Sequence, residues 1–329
     1  MEPAYLLVVA AFGMATRALG LTGYGAKPKA LINVGRNGVP VLEEILREAI
    51  RSGIREGVVV TGPGHYRDLI ERFLNPLETN PLLDEYLHRR KKQEELRQIQ
   101  ERPRLDRLHV VTQQVPNGFG VAVSLAAPYL QAGDQAGRPF VGACVALGDD
   151  LVHSRTPAMA QLIAVHQETG ATVVGVQRVS RETASRFGLV VVDPEPLTVQ
   201  NTSGWRAYRV RAMEEKPQDP IPSLLEGEEV YFAVIGRYLV RPEDMEFLVA
   251  GSGSVEQEFN FTELLQRRAA EGTLVAVEVA GHWHSVGTAL EAQQAFLRYA
   301  LIPEEGSPTP EQRRLREYVQ ELLKEAEER

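Results

Sequence analysis

Residues 6–31, LLVVAAFGMATRALGLTGYGAKPKAL, join an apolar run to a glycine-bearing turn and then to three cations, Arg17, Lys27 and Lys29. The unbroken apolar segment 6–10 suits a strand buried on both faces, as in a parallel sheet. Gly13 follows at its end. A glycine there lets backbone N–H groups approach a polyphosphate without an intervening Cβ, and Arg17 and Lys29 carry the charge to neutralise phosphate oxygens. The spacing matches neither G-x-x-x-x-G-K-[ST] nor G-x-G-x-x-G. Taken alone, the stretch supports two readings equally, a nucleotide loop or a strand-to-helix turn with incidental basic residues.

Working outward, Val41, Leu42, Ile45, Leu46, Ala49 and Ile50 recur at helical spacing, and Gly53 stands where a helix C-terminus favours it. Residues 58–61 read as a second buried strand, which makes a βαβ unit and implies a parallel sheet. A helix is expected over 66–73. Residues 75–106 then become proline-bearing and dense in charge, as an inserted, solvated helical excursion. Its cluster Arg89, Arg90, Lys91 and Lys92 precedes Glu94 and Glu95, which predicts i,i+4 pairing on an exposed helix. Strand 109–112, the turn QQVPNGFG at 113–120, one helix over 121–129 and the very apolar strand 140–147 follow. That strand ends in Gly148-Asp149-Asp150, carboxylates placed where open parallel sheets collect ligands, or alternatively a cap for the next helix.

A helix over 157–169 and a strand over 172–179 continue the alternation. Residues 188–240 are strand-rich without helices, so antiparallel additions covering the cleft are expected. Helix, strand and helix return at 259–272, 273–280 and 287–300. PEEGSPTP at 303–310 reads as a linker, and Leu315, Val319, Leu322 and Leu323 form a narrow apolar stripe on a charged terminal helix. The organisation expected is a main domain over 1–302 and a linker plus amphipathic helix over 303–329. The stripe suits docking on the chain's own body or on a second copy, and a homo-oligomer is the expectation.

With 329 residues, 43% of them hydrophobic and 24% charged, the chain can bury a large α/β core. A net charge of −8 argues against general nucleic-acid binding, which needs a basic face. Cys144 is the single cysteine, which excludes an internal disulfide and fits a reducing compartment. No apolar run reaches the roughly 20 residues of a membrane span. A cytoplasmic location, with no nucleic-acid or membrane partner, is expected.

Four segments together are more specific than any one. A-F-G-M-A-T-R with P-K-A-L, Q-Q-V-P-N-G-F-G, A-L-G-D-D and M-E-E-K-P occur in this order, and the chain over roughly residues 5–300 resembles the sugar-nucleotide pyrophosphorylases. The bacterial members that couple UTP to glucose-1-phosphate are the nearest in pattern. The resemblance implies a Rossmann-like, mixed but mainly parallel sheet flanked by helices, with an antiparallel sugar-binding addition and a C-terminal helix. It implies attack by a sugar-1-phosphate oxygen on the α-phosphorus of a nucleoside triphosphate, with pyrophosphate leaving.

By the same resemblance, Arg17 would stabilise the triphosphate and leaving group and Lys29 would sit near the phosphates. Ala11 and Gly13 would line the nucleotide, while Gln113 and Gly118 would read the base edge. Asp149 would contact the nucleotide and ligate Mg²⁺. Lys216 would hold the sugar phosphate, and Gly188 and Glu215 would touch the sugar. Against the family's pattern, Phe12 stands in place of a small residue, Ala15 in place of a glycine and Asn33 in place of a proline, and Lys27 competes with Lys29. Ser285, within HWHSVGT, stands where a second metal carboxylate is usual. A serine hydroxyl is a poor substitute for that charge. The alternative expectation is therefore a catalytically weakened sugar-nucleotide-binding paralogue with a regulatory role.

Overall fold

A computed structural model describes residues 3–13, 16–200, 204–252 and 261–328. Ala15, part of the loop around residues 201–205 and the start of the helix expected at 259 lie outside them. The strands are β1 (Ala4–Ala10), β2 (Glu56–Thr61), β3 (Arg107–Thr112), β4 (Phe140–Leu147), β5 (Asp150–His153), β6 (Thr172–Val179), β7 (Gly188–Val192), β8 (Arg206–Glu215), β9 (Ser223–Leu225), β10 (Glu228–Val240), β11 (Leu274–Glu278) and β12 (His282–Ser285). The main sheet has the order β3-β2-β1-β4-β10-β6-β11-β8-β7, with β9 hydrogen-bonded to β10. β5 and β12 form a separate antiparallel ribbon.

The helices are α1 (Val41–Arg51), α2 (His65–Leu74), α3 (Pro76–Thr79), α4 (Pro81–Arg89), α5 (Gln93–Gln100), α6 (Phe119–Ser124), α7 (Ala127–Ala132), α8 (Ala158–Thr169), α9 (Arg181–Ala184), α10 (Pro242–Gly251), α11 (Phe261–Ala270), α12 (Ala289–Leu301) and α13 (Pro310–Glu327). Along β1, Leu7 and Val9 join one core with α1, α8 and α12, while Leu6 and Val8 join the other with α6, α10 and α11. The sheet is thus buried on both faces, as the continuous apolar runs required.

β1, β2, β3 and β4 pair in parallel, so their carboxyl ends share one edge. β10 was expected among the additions over the cleft. It lies instead inside the sheet, antiparallel to both β4 and β6. Its register breaks between Val234 and Tyr238, where Gly236 takes φ 65°. A Cβ at Gly236 would collide with the Asp150 carboxylate and meet Leu147 at 2.9 Å, so the bulge needs glycine. The bulge turns Arg237 into the core, where the fully buried guanidinium donates to Glu48 of α1 at 2.9 Å and to the Asp150 carbonyl at 3.0 Å.

Two local expectations change. The single helix over 121–129 is broken into α6 and α7, and Pro128, which has no N–H to continue a helix, stands in the first turn of α7. The 75–106 excursion is three short helices anchored by buried Leu87 and Leu96. Its ion pairs Lys92–Glu95 and Arg97–Glu94 are spaced i,i+3, alongside Arg89–Glu85 at i,i+4. After Leu301, Arg51 holds Glu304 and Glu305, and a Thr309/Gln312 capping box starts α13. No residue of α13 is buried.

Candidate functional site

The carboxyl ends of β1, β3 and β4 open into a cavity of about 340 Å³. Ala11, Phe12, Gly13, Lys29, Gln113, Gly118, Phe119 and Asp149 line it, so the first turn, the 113–120 turn and the end of β4 converge. Gly148 makes that convergence possible. A Cβ there would lie 2.8 Å from the Ala10 carbonyl oxygen and 3.1 Å from Ala11 Cα. The Ala11 N–H is itself tied to the Val60 carbonyl at 2.7 Å. At Gly13 a Cβ would meet nothing within 4 Å, which leaves the backbone open to a ligand.

Lys29 Nζ donates to Asp149 Oδ2 at 2.6 Å. Lys29, and not Lys27, is therefore the cation on the β4 carboxylate. Gln113 is buried, and its amide nitrogen donates to Asn117 Oδ1 at 3.0 Å and to the Gly118 carbonyl at 3.2 Å. That leaves the amide oxygen as the group to meet a base donor. Gly118 has φ 116°, a backbone conformation that favours glycine at the start of α6.

Asp149 and Asp150 have different environments. The Asp149 side chain is about a quarter exposed, at 27%. Asp150 is buried and accepts from Trp283 Nε1 at 3.1 Å. Burial first, and the neighbouring Asp149 charge second, push the Asp150 carboxyl up to about 8. It neither starts nor caps a helix but opens β5, in register with Ser285 of β12. The Val286 N–H donates to the Asp149 carbonyl at 2.7 Å, so Ser285 stands directly beside the acidic pair. Among the described residues, no group of three or more His, Cys, Asp or Glu side chains could hold a metal ion. His282 and His284 have their pKa values lowered by burial, that of His284 to about 4.

The residues expected at the sugar, Gly188, Glu215 and Lys216, lie on β7 and at the end of β8, outside the lining of that cavity. Gly188 pairs with Glu215, and a Cβ at Gly188 would sit 3.1 Å from Glu215 Oε2. Glu215 accepts from Thr262 of α11 at 3.2 Å and is ion-paired with Lys216, Nζ to Oε1 3.1 Å. The Lys216 backbone has φ 45°, its N–H donates to the Phe187 carbonyl, and its side chain is exposed.

Two sets of contacts lie between these residues and the cavity. Phe119 of the cavity, Tyr238 of β10 and Phe261, next to Thr262, form an aromatic cluster with centroids 4.8 to 5.7 Å apart. Burial, then the carboxylates of Asp150 and Glu215, raise the Tyr238 pKa. On the other side, Arg186, next to Phe187, donates to Glu291 Oε1 at 2.9 Å. A Cβ at Gly287 would meet Glu291 Oε2 at 3.0 Å, Ser285 Oγ at 3.3 Å and an Arg17 guanidinium nitrogen at 3.6 Å. A chain of neighbours thus runs from Arg17 through Glu291 and Arg186 to the backbone that fixes Lys216. Sequence reasoning did not single out Arg186, Glu291, Thr262 or Phe119. Only Phe119 carried a signal, as the aromatic within PNGFG.

A larger cavity, about 810 Å³, lies away from this edge between α1, α12 and the start of α13, lined by Arg47, Arg51, His153 and Glu304. It contains none of the motif residues.

The sequence profile described as nucleotidyl transferase matches residues 7–300. The UTP–glucose-1-phosphate uridylyltransferase of Staphylococcus haemolyticus is 31% identical over 295 residues, covering 89% of this chain and 91% of that protein. Its counterpart from Staphylococcus epidermidis is 32% identical over the same shares. Among solved structures, a UTP-bound UGPase from Acinetobacter baumannii superposes with TM-score 0.76 at 22% identity, covering 97% of this chain and 99% of that one. A UDP-glucose pyrophosphorylase complexed with UDP-glucose gives 0.66 at 21% identity, over 90% and 98%.

Proposed function

Because the chain belongs to the nucleotidyl transferase family, we propose that it condenses UTP with glucose-1-phosphate to give UDP-glucose and pyrophosphate. The observation that carries this reading is the relay of neighbours from the Lys29–Asp149 pair past Ser285 and Arg17 to Glu291, Arg186 and the backbone that fixes Lys216. The names of the relatives, which act on UTP and glucose-1-phosphate, support the substrate pair. Two polyanions must meet, so the protein's work is positioning and charge neutralisation, without a covalent intermediate. Arg17 takes the β- and γ-phosphates and the departing pyrophosphate. Lys216 holds the sugar phosphate with an oxygen facing the α-phosphorus, and Glu215 accepts from sugar hydroxyls beside Gly188. The Gln113 amide oxygen accepts the N3–H of uracil.

Asp149 fits a hard cation of low carboxylate demand. Mg²⁺ is held by one or two carboxylates plus phosphate and water oxygens, and Asp149 with the Ser285 hydroxyl nearby can supply the protein's share. When bound, it would screen charge between the phosphates. Lys29, now on Asp149, would gain phosphate partners as the triphosphate enters, leaving the carboxylate free for the ion.

No described helix is long and apolar enough to cross a membrane; with the single buried cysteine, this supports a cytoplasmic site of action. The unburied α13, with Tyr318, Leu322 and Leu323 exposed, supports self-association. Ser285 supports a second reading, a sugar-nucleotide-binding paralogue with weakened catalysis. A pyrophosphate-release screen over several triphosphates and sugar-1-phosphates, with and without Mg²⁺, separates the two. Mg²⁺-dependent release with UTP and glucose-1-phosphate is the expected result; UDP-glucose binding in calorimetry without any release would favour the paralogue.

A further inference from the structure

Phe12 occupies a position where the resemblance calls for a small side chain, and its ring has a definite seat. It lies on Gly62, just beyond the end of β2. A Cβ at Gly62 would run into the ring, meeting Phe12 Cε2, Cδ2 at 2.6 Å and Cζ at 3.0 Å. The ring also packs against Tyr66 of α2, centroids 5.9 Å apart and planes tilted by 58°. The Tyr66 hydroxyl donates to the Gly25 carbonyl at 3.1 Å, so the wall behind Phe12 is itself held by the basic loop. The ring is half-buried, and it lines the same cavity as Gln113 and Gly118.

We propose that Phe12 is a specificity-determining wall: backed by Gly62 and Tyr66, its ring narrows the base end of the cavity so that a single-ring base fits and a purine does not. This rests on the reading of the cavity as the nucleotide site. A cavity of about 340 Å³ is at the small end for ligand pockets, so a bulky ring in its lining takes up a substantial part of the room available to a base. Ring and glycine are a matched pair, since the side chain at 12 can be large only because the residue at 62 has none.

The test is calorimetric binding of UTP and of ATP, each with Mg²⁺, to the wild-type chain and to Phe12→Ala, Gly62→Ala and the double variant, with kcat/KM for both triphosphates. Phe12→Ala is expected to cut the UTP-over-ATP preference roughly tenfold, within the range set by single steric groups in apolar pockets. Gly62→Ala is expected to drive the ring into the cavity and weaken UTP binding by a similar factor. Adding Phe12→Ala to Gly62→Ala is expected to restore UTP binding, which also guards against a variant that merely folds badly. A UTP-over-ATP ratio unmoved by Phe12→Ala, or a Gly62→Ala defect that Phe12→Ala does not relieve, overturns the wall while leaving the nucleotide site standing. Failure of the wild-type chain to bind UTP overturns both.

Discussion

Thr262 reaches Glu215 across 3.2 Å from a helix 47 residues further along the chain, and the hydroxyl orients a carboxylate whose other oxygen meets Lys216. Thr262→Val removes that charged hydrogen bond and should raise KM for glucose-1-phosphate about tenfold, as losing such a bond allows, with KM for UTP unchanged and rescue by Thr262→Ser; steady-state kinetics checks it. His284 makes a separate prediction. Its buried Nε2 has no hydrogen-bond partner among the described residues, and burial, with Arg298, His153 and His282 facing it, lowers its pKa to about 4. An unfolded histidine takes a proton near 6.5 while the folded one stays neutral, so the unfolded chain binds more protons between these values. Stability therefore rises with pH across that window and is fully present above it. Thermal melts from pH 7 to 4 should show the wild-type chain losing stability faster than His284→Phe; parallel curves would contradict this. At this scale the motif residues were named through the resemblance of the four segments that carry them. Arg186 and Glu291 were not, since they are 105 residues apart and meet only through the fold.

Among elements, β10 departs most from what its sequence suggests. Its unbroken run of buried residues reads as a strand, and the segment's lack of helices reads as antiparallel, both correctly. Nothing local says that it enters the main sheet between β4 and β6, because strand order is decided by pairing across about a hundred residues of chain. Arg237 hid the same way. A guanidinium within an apolar run looks like a surface residue, yet the bulge at Gly236 turns it onto Glu48, joining β10 to α1. Removing one member of a fully buried pair leaves the other uncompensated, so Arg237→Met should cost about 3–5 kcal/mol. Urea unfolding measures this, and a loss under 1 kcal/mol would show that Glu48 finds another partner. The β5–β12 ribbon was also out of reach of periodicity, being four residues on each side. The motif alignment nonetheless put Ser285 beside Asp149, where the ribbon holds it.

For the whole molecule, a parallel sheet covered by helices followed from the alternation of apolar runs and helical spacing, while its mixed character came from the family resemblance. The role of the ends of the chain did not. α13 packs against α12, with Arg316 donating to the Leu301 carbonyl at 2.7 Å, and Tyr318, Leu322 and Leu323 remain exposed at 56%, 44% and 59%. If these cover a second copy, Leu322→Glu with Leu323→Glu should lower the sedimentation coefficient to that of a monomer without altering the far-ultraviolet circular dichroism. An unchanged coefficient would assign the stripe another role.

The central claim is that cations from the first turn and from the end of β8 grip two substrates lying side by side. Steady-state pyrophosphate release with UTP and glucose-1-phosphate varied in turn, for the wild-type chain, Arg17→Ala and Lys216→Ala, tests it most directly. Arg17→Ala should raise KM for UTP, Lys216→Ala should raise KM for glucose-1-phosphate, and each should lose roughly a hundredfold or more in kcat. Full turnover by either variant would contradict the account.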